Sequence, residues 1–408
     1  MKGYLSFYKD LPKDVKKITL FIFFTYFLVL FSYPFVRASA SAIFYEAYSP
    51  NEYSFATFIS IVALMGLVYL NNYLQPKVGV HNIYFFSGLL TIAMLAIGFV
   101  GYKFEIKQMA YVIFATKESY IVLLVHTCLA FANSYYSLDQ FKRLISFVGA
   151  SGSLGGVLGG QLTKHIATSY GTDTVFMLSL FIILATVLIF YLTKSAKIKD
   201  QVVDHKDTPI QAIESVKKYV FLIAGVVTLS QFVIYIADLQ FNIIFENTIK
   251  LKDERTAYLG NLYSYINGVG LFLQFVIIPY LLIMIRPRNV FLSIPLIYLL
   301  LVLGGVSIGG GTLFTMSLVF MMMKGVDYSV FAAVKEVMYH PLTNSQKYGA
   351  KYITDMFIYR VSKAFMAIIM AQFLVGQILD YLNLLQIFFI ALWVVAIILL
   401  FKEQNKLK

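Results

Sequence analysis

Apolar residues run along this chain in stretches of about 20 positions, the length a helix needs to cross a bilayer, and short polar connections separate them. In order the stretches are 18–45, 53–74, 83–102, 109–136, 145–166 and 174–192, then 219–248, 259–285, 290–308, 313–339, 353–379 and 384–401. The pattern predicts an all-α polytopic membrane protein with twelve transmembrane helices. The first stretch is too long, and starts too far from the charged end, for a cleaved signal peptide, so it is expected to be retained. Between the sixth and seventh lies a segment rich in Lys, Asp and His, with Pro209 in it, that has no apolar face wide enough for a core. The expected organisation is therefore a cytoplasmic N-terminal segment over 1–17, a six-helix bundle over 18–192, a cytoplasmic linker over 193–218, a second six-helix bundle over 219–401 and a cytoplasmic tail over 402–408.

Six spans on either side of a linker predict two pseudo-repeats. After the fourth span comes Ser137-Leu138-Asp139-Gln140-Phe141-Lys142-Arg143, and after the tenth comes Pro341-Leu342-Thr343-Asn344-Ser345-Gln346-Lys347. The charged pair Lys117 and Glu118 in span four likewise has a counterpart in Lys324 and Asp327 of span ten. In span five, Gly152, Gly156 and Gly160 recur every fourth residue, as do Gly155 and Gly159, leaving two adjacent strips without side chains where other helices can approach at backbone distance. Either tight packing or a sliding surface in a gated carrier accounts for such a ladder. A phosphate-cradling loop does not, because no Gly-Lys-Ser/Thr follows the glycines. Gly152, Gly156 and Gly160, with Asp139, Arg143 and Lys347 of the two matching connections, are the expected packing and gating residues.

Composition agrees with a bilayer as solvent: 59% of the residues are hydrophobic and only 13% charged, with a mean hydropathy of +0.76. The one cysteine, Cys128, lies in an apolar stretch, which excludes an intrachain disulfide and a cysteine-built metal site. A net charge of +12 is not a nucleic-acid signature here, because the cations gather in loops and at the ends. Lys142 with Arg143, Lys194 to Lys218, Arg286 with Arg288, and Lys347 with Lys351 fall on the side of the basic N-terminus, which predicts both termini in the cytoplasm; the expected location is a bacterial inner membrane. Lys103 with Lys107, and the mixed run Lys250 to Arg255, are exceptions on the opposite side.

An ionisable group at lipid depth costs roughly 2.5 kcal/mol or more and is kept where it lines a cavity or finds a partner. Lys335, Glu336 and Asp355 lie near span ends, where a salt-bridge lock explains them, and Lys164 is expected to snorkel. His126 reads as a packing residue. The deeper set, Arg37, Lys117, Glu118, Asp238, Lys324, Asp327, Arg360 and Lys363, comes from both halves, and it converges only if the halves face each other. Five cations stand against three anions, which suits an anionic substrate, with the carboxylates left for pairing, gating or protons. Mutual neutralisation is the other reading of the same residues. Gln231, Gln240, Asn242, Tyr263, Tyr265 and Asn267 are candidates to hydrogen-bond or stack on a ring or sugar.

Phe131, Ala132 and Asn133, followed at their spacing by Asp139, Lys142, Arg143, Phe147 and Gly149, resemble the corresponding connection of the ATP/ADP translocase family of plastids and intracellular bacteria. The stretch 335–363, KEVMYHPLTNSQKYGAKYITDMFIYRVSK, is similar to that family's late pattern as well. The resemblance implies a major-facilitator-like fold and antiport of nucleotides or related phosphorylated solutes, with Lys363 matching the late basic substrate residue and Glu118 the acidic residue of span four. The chain departs from the family at Ala40, which stands three residues after Arg37 where the family usually carries a lysine. Loss of a charge-assisted phosphate contact, worth about 1.5–3 kcal/mol, argues for a less charged solute than a triphosphate, or for proton-coupled movement.

No GxSxG, HExxH or P-loop is present, and only five histidines occur, so no enzymatic activity and no cofactor are expected. The expected function is secondary active transport of a small anionic, nucleotide-like or phosphorylated solute by a monomer using alternating access. The alternatives are a non-transporting binding or assembly protein of the same fold, and a carrier of lipid-linked substrates.

Overall fold

In the computed structural model, residues 11–195, 209–305, 311–373 and 379–406 are described. Among them every regular element is helical: α1 (Lys13–Ala47), α2 (Pro50–Val78), α3 (Val80–Lys103), α4 (Met109–Tyr135), α5 (Leu138–Tyr191), α6 (Lys217–Thr248), α7 (Lys252–Phe272), α8 (Ile278–Met284), α9 (Pro287–Leu303), α10 (Leu313–Val326), α11 (Ala332–Met338), α12 (Asn344–Lys351), α13 (Tyr359–Phe373) and α14 (Leu379–Gln404), with single 3₁₀ or α turns in the central connection. Parts of the predicted N-terminal segment, linker and tail, and most of the Gly309 to Gly311 turn, lie outside the described residues.

Nine helices among the described residues are long and apolar enough to cross a membrane, against twelve expected from the hydropathy pattern. Three local features account for the difference. The fifth and sixth expected spans follow each other without a loop and meet at a kink where Gly171 adopts φ 82°, a value that only glycine takes without strain, so α5 comprises two helices joined there and counts once. The ninth span, α9, is 17 residues long. The eleventh is divided by a π-helical turn, Tyr352–Ile358, and carries Lys351, Asp355, Arg360 and Lys363 within it. Further π turns, Leu273–Ile277 and Asp327–Phe331, join α7 to α8 and α10 to α11.

The chain forms two compact units that do not follow chain order. One takes residues 11–48, 59–195 and 250–268; the other takes 49–58, 209–249 and 269–406. Helices α2 and α7 each change unit along their length.

The first unit is built on the contact of α1 with α5, and the glycine ladder explains how close that contact is. A Cβ on Gly155 or Gly159 would strike the backbone of Phe27 and Phe31 in α1. On the second strip, a Cβ on Gly156 would lie 2.6 Å from the Asn267 side chain, and one on Gly160 would meet the backbone of Gly260, both in α7. Gly260 returns the contact, since its own Cβ would lie 2.7 Å from Thr163. Gly155 and Gly159 thus seat α1, while the other strip meets α1 at Gly152, through Tyr26, and α7 at Gly156 and Gly160. Aromatic packing closes the other end of the unit, where Tyr84 stacks on Phe190 at 3.9 Å and His81 bonds to Thr193 at 2.9 Å.

In the second unit α6, α9, α10, α11 and α14 surround a core centred on Trp393, whose ring meets Tyr298 at 5.5 Å and Phe331 at 5.7 Å. The Tyr298 hydroxyl, buried there, donates to the Met323 carbonyl at 2.8 Å, so its desolvation is offset by a hydrogen bond. Two helix starts carry the same device. At α5, Ser137 and Gln140 form a reciprocal capping box (3.3 and 3.1 Å); at α12, Thr343 and Gln346 do the same (3.4 and 2.9 Å).

The ladder generates a graded test. Gly159→Ala forces α1 away from α5 and is expected to destabilise by about 1–3 kcal/mol, read as a lower unfolding midpoint of the purified protein. Gly149→Ala, where nothing lies within 4 Å of the added carbon, leaves the midpoint unchanged. Equal behaviour of the two variants would remove the close approach as a determinant of the fold.

Candidate functional site

Helix periodicity puts Tyr33, Arg37 and Ser41 at successive i, i+4 positions, one above another on a single face of α1. The Arg37 guanidinium lies over the Tyr33 ring at 5.5 Å and over the Tyr263 ring of α7 at 4.5 Å, both within cation–π range. From α4, the Lys117 ammonium reaches the same face of α1 and donates to the Ser41 hydroxyl at 2.8 Å. It also sits over the Phe114 ring at 3.5 Å and 3.8 Å from the carboxylate of Glu118. Lys117 is 3% exposed, so its charge is held by an aromatic face, a hydroxyl and one carboxylate rather than by water. Below it, Tyr120 and Ser32 share a hydrogen bond at 3.3 Å. The first unit therefore gathers three of the expected residues, Arg37, Lys117 and Glu118, into one cluster with an excess of positive charge. Ala40 is fully buried beside it.

Asp238 of α6 is 3% exposed and belongs to a separate cluster in the second unit. Tyr53, from the first turns of α2, donates its hydroxyl to one carboxylate oxygen at 2.9 Å, and Asn242 donates to the other at 3.0 Å. One turn below, Tyr235 donates to Ser54 at 2.8 Å. These donors satisfy both oxygens of the buried carboxylate by hydrogen bonds.

The remaining expected residues lie on the segments broken by π turns. Asp327 opens one such turn and is 4% exposed, with Lys324 one helical turn before it at 6%. The Tyr359 hydroxyl donates to Asp327 at 3.4 Å. Asp355, in the next π turn, is ion-paired to Lys335 at 2.8 Å and accepts from Tyr339 at 2.9 Å, while Glu336 pairs with Lys351. Single π turns insert a residue into the helical ladder and re-aim the side chains around it, and they are frequent at functional sites. Arg360 donates to the Met356 carbonyl of its own helix at 2.6 Å. Lys363, half-buried, makes no hydrogen bond or ion pair among the described residues.

Among the expected gating residues, Gly152, Gly156 and Gly160 line the close contacts of α5, Gly152 against Tyr26. Asp139 and Arg143 stand in the first turns of α5, but their side chains lie outside the described residues. Lys347 is on α12 and half-buried. His126 is half-buried on α4, and Lys164 is exposed on α5.

The two exceptions to the charge bias have a structural account. Lys252 bridges Glu46 at 3.2 Å and Asp173 at 3.4 Å; Lys103 also pairs with Asp173, and Tyr102 donates to Glu46. Arg255 is 3% exposed, with its guanidinium on the Tyr45 carbonyl at 2.8 Å. Asp253 accepts from the backbone of Thr172, next to the Gly171 break, at 2.6 Å. Lys103 and Lys252 are thus neutralised locally by Asp173 and Glu46 and add little to the net charge of that end. Sequence reasoning missed Tyr33, Ser41, Tyr53 and Arg255. The i, i+4 spacing around Arg37 was a signal for the first two, whereas Tyr53 and Arg255 act over contacts distant in sequence.

Comparison with known proteins bears on the family and the fold. Residues 18–338 match the family profile of the Major Facilitator Superfamily, and residues 307–404 match that of the TLC ATP/ADP transporters. The fold is similar to that of an auto-inhibited POT family peptide transporter (TM-score 0.69, 11% identity, covering 97% of each chain). It is similar also to the nucleoside transporter NupG (TM-score 0.66, 12% identity, 96% of this chain and 99% of that one). A third likeness is to a bacterial homologue of the iron transporter ferroportin in its inward-facing state (TM-score 0.68, 11% identity, 94% of this chain and 98% of that one). Among curated proteins no relative matches the chain. The chain belongs to the Major Facilitator Superfamily, as a divergent member in which residues 307–404 are similar to the TLC ATP/ADP transporters.

Proposed function

We propose that this protein is an exchanger of small anionic, nucleotide-like or phosphorylated solutes, working by alternating access with twelve crossings in two six-helix repeats, and that both termini face the cytoplasm of a bacterial inner membrane. Membership of a transporter superfamily supports secondary transport in place of enzymatic turnover. The neighbouring folds serve peptides, nucleosides and iron by their titles, so the substrate reading rests on this chain's residues alone. The matching capping boxes at Ser137 and Thr343, and the paired positions Lys117 with Glu118 and Lys324 with Asp327, support the repeat.

One observation carries the anion reading. Lys117, from α4, delivers its ammonium to α1 beside Ala40, one turn from Arg37, so the cation that α1 itself lacks at position 40 is supplied by a neighbouring helix. Two cations over aromatic rings, with one carboxylate nearby, suit a phosphorylated solute whose ring stacks on Tyr33 or Tyr263. In the second unit Lys324, Arg360 and Lys363 are further candidate contacts for an anionic solute. Asp238, Asp327 and Glu118 are the candidates for proton coupling.

The test is exchange by proteoliposomes preloaded with ATP, ADP, a nucleoside or a sugar phosphate, followed by uptake of the labelled solute. Faster uptake with phosphorylated solutes inside supports the reading. Binding without uptake indicates a non-transporting member of the fold, and uptake indifferent to phosphate rejects the anion site.

Removing one charge-assisted contact of about 1.5–3 kcal/mol predicts that Lys117→Ala, Lys363→Ala and Arg360→Ala each reduce uptake by about one to two orders of magnitude while membrane insertion is retained. Unchanged uptake in any of them withdraws that residue from the site. With Glu118 as proton carrier, Glu118→Gln abolishes stimulation by an imposed pH gradient. A response identical to the parent's assigns coupling elsewhere.

A further inference from the structure

The second unit contains a cavity of about 500 Å³ that the transport reading does not use. It is lined by Arg286 and Arg288 ahead of and within the first turn of α9, by His340 after α11, and by Gln404 and Asn405 at the end of α14, over a floor that includes Met338 and Phe401. We propose that this cavity binds the phosphate of an anionic membrane lipid, the polar rim holding the headgroup and the apolar floor meeting the first carbons of its chains.

Charge is the first argument. Arg286 and Arg288 have no carboxylate within ion-pair distance among the described residues, and the acidic groups nearest in sequence to the cavity lining are already committed. Glu403, next to Gln404, is held by Lys218 at 3.1 Å and Lys406 at 3.0 Å; Glu336, next to Val337, is held by Lys351. The cavity is therefore net positive. Pro287 at the first position of α9 removes one N–H, and the positive end of the helix dipole adds to the potential at that end of the cavity.

Depth is the second argument, and it selects a lipid over a free anion. Ile283 and Met284, directly before Arg286, are 85% and 81% exposed, which in a bilayer means exposed to acyl chains. Two residues later the chain turns to arginine, so the cavity lies where hydrocarbon gives way to headgroups. Half its lining is apolar, which a soluble phosphate does not need. Basic pockets between transmembrane helices at this level suit anionic headgroups, with each Arg contributing about 1 kcal/mol, or about fivefold in affinity.

The experiment uses the full-length protein in neutral detergent, titrated with phosphatidylglycerol, phosphatidylcholine or inorganic phosphate, with the unfolding midpoint and lipid adducts in native mass spectrometry as readouts. Phosphatidylglycerol is expected to raise the midpoint and to form an adduct more readily than phosphatidylcholine. In Arg286→Gln with Arg288→Gln the lipid concentration for half-effect rises about 25-fold, while the midpoint without lipid stays that of the parent because both side chains are exposed. Lys402→Gln, which removes a cation outside the cavity lining, leaves the titration unchanged. Equal responses to the two lipids overturn the proposal, as does a double variant that keeps the parent's titration or a Lys402→Gln variant that loses as much. Inorganic phosphate reproducing the full shift at the same concentrations assigns the cavity to a soluble phosphate and overturns the lipid.

Discussion

A charge that lies at hydrocarbon depth must be compensated by its own protein, and much of this structure follows from how the compensation is arranged. Lys117 is compensated by a ring, a hydroxyl and Glu118; Arg37 lies between two tyrosines; Asp238 is held by a tyrosine and an asparagine. These settings surround the charged groups with rings, hydroxyls and an amide, and the Lys117–Glu118 pair is a loose 3.8 Å. Lys335 with Asp355 and Glu336 with Lys351 show the contrary arrangement, in which direct ion pairs consume the charge and structure is the result.

Close helix approach is the second constraint, and it makes the first possible. Arg37 and Tyr263 meet because α1 and α7 lie against the same helix, α5, along its glycine ladder. A side chain on either strip would push one of those helices outward and open the sandwich around the guanidinium. The Gly171 break then turns the chain where Thr172 and Asp173 can receive Asp253 and Lys252, so α7 is fastened at its start by polar contacts and along its length by packing. In the second unit, π turns take over the positioning role. Asp327 and Asp355 both sit in segments whose backbone ladder is locally widened, and both meet tyrosine hydroxyls there.

Much of the architecture was legible because the bilayer requires long apolar runs, and runs survive in a linear reading. Helix ends followed from polar punctuation, and the capping boxes at Ser137 and Thr343 are spelled out locally. The count of crossings was less secure. A helix interrupted by one left-handed glycine, one of 17 residues and one carrying four charges all read differently by hydropathy and by backbone geometry. Of the candidate site, Arg37, Lys117 and Glu118 could be named because charges stand out in apolar segments. Tyr53 at Asp238 could not, since nothing local distinguishes it from the other tyrosines.

The sequence by itself determined that the chain lives in a membrane, that its spans are helices, and that certain buried charges must have partners, because each of those follows from the cost of placing polar groups in hydrocarbon. Only the tertiary structure decided who the partners are. Assignment of residues 49–58 and 250–268 to units away from their chain neighbours, the seating of α1 and α7 on the glycine ladder of α5, and the delivery of Lys117 to Ser41 all depend on which helices pack together. That choice is made by shape and contact over separations of tens to hundreds of residues, and no periodicity within a single span records it.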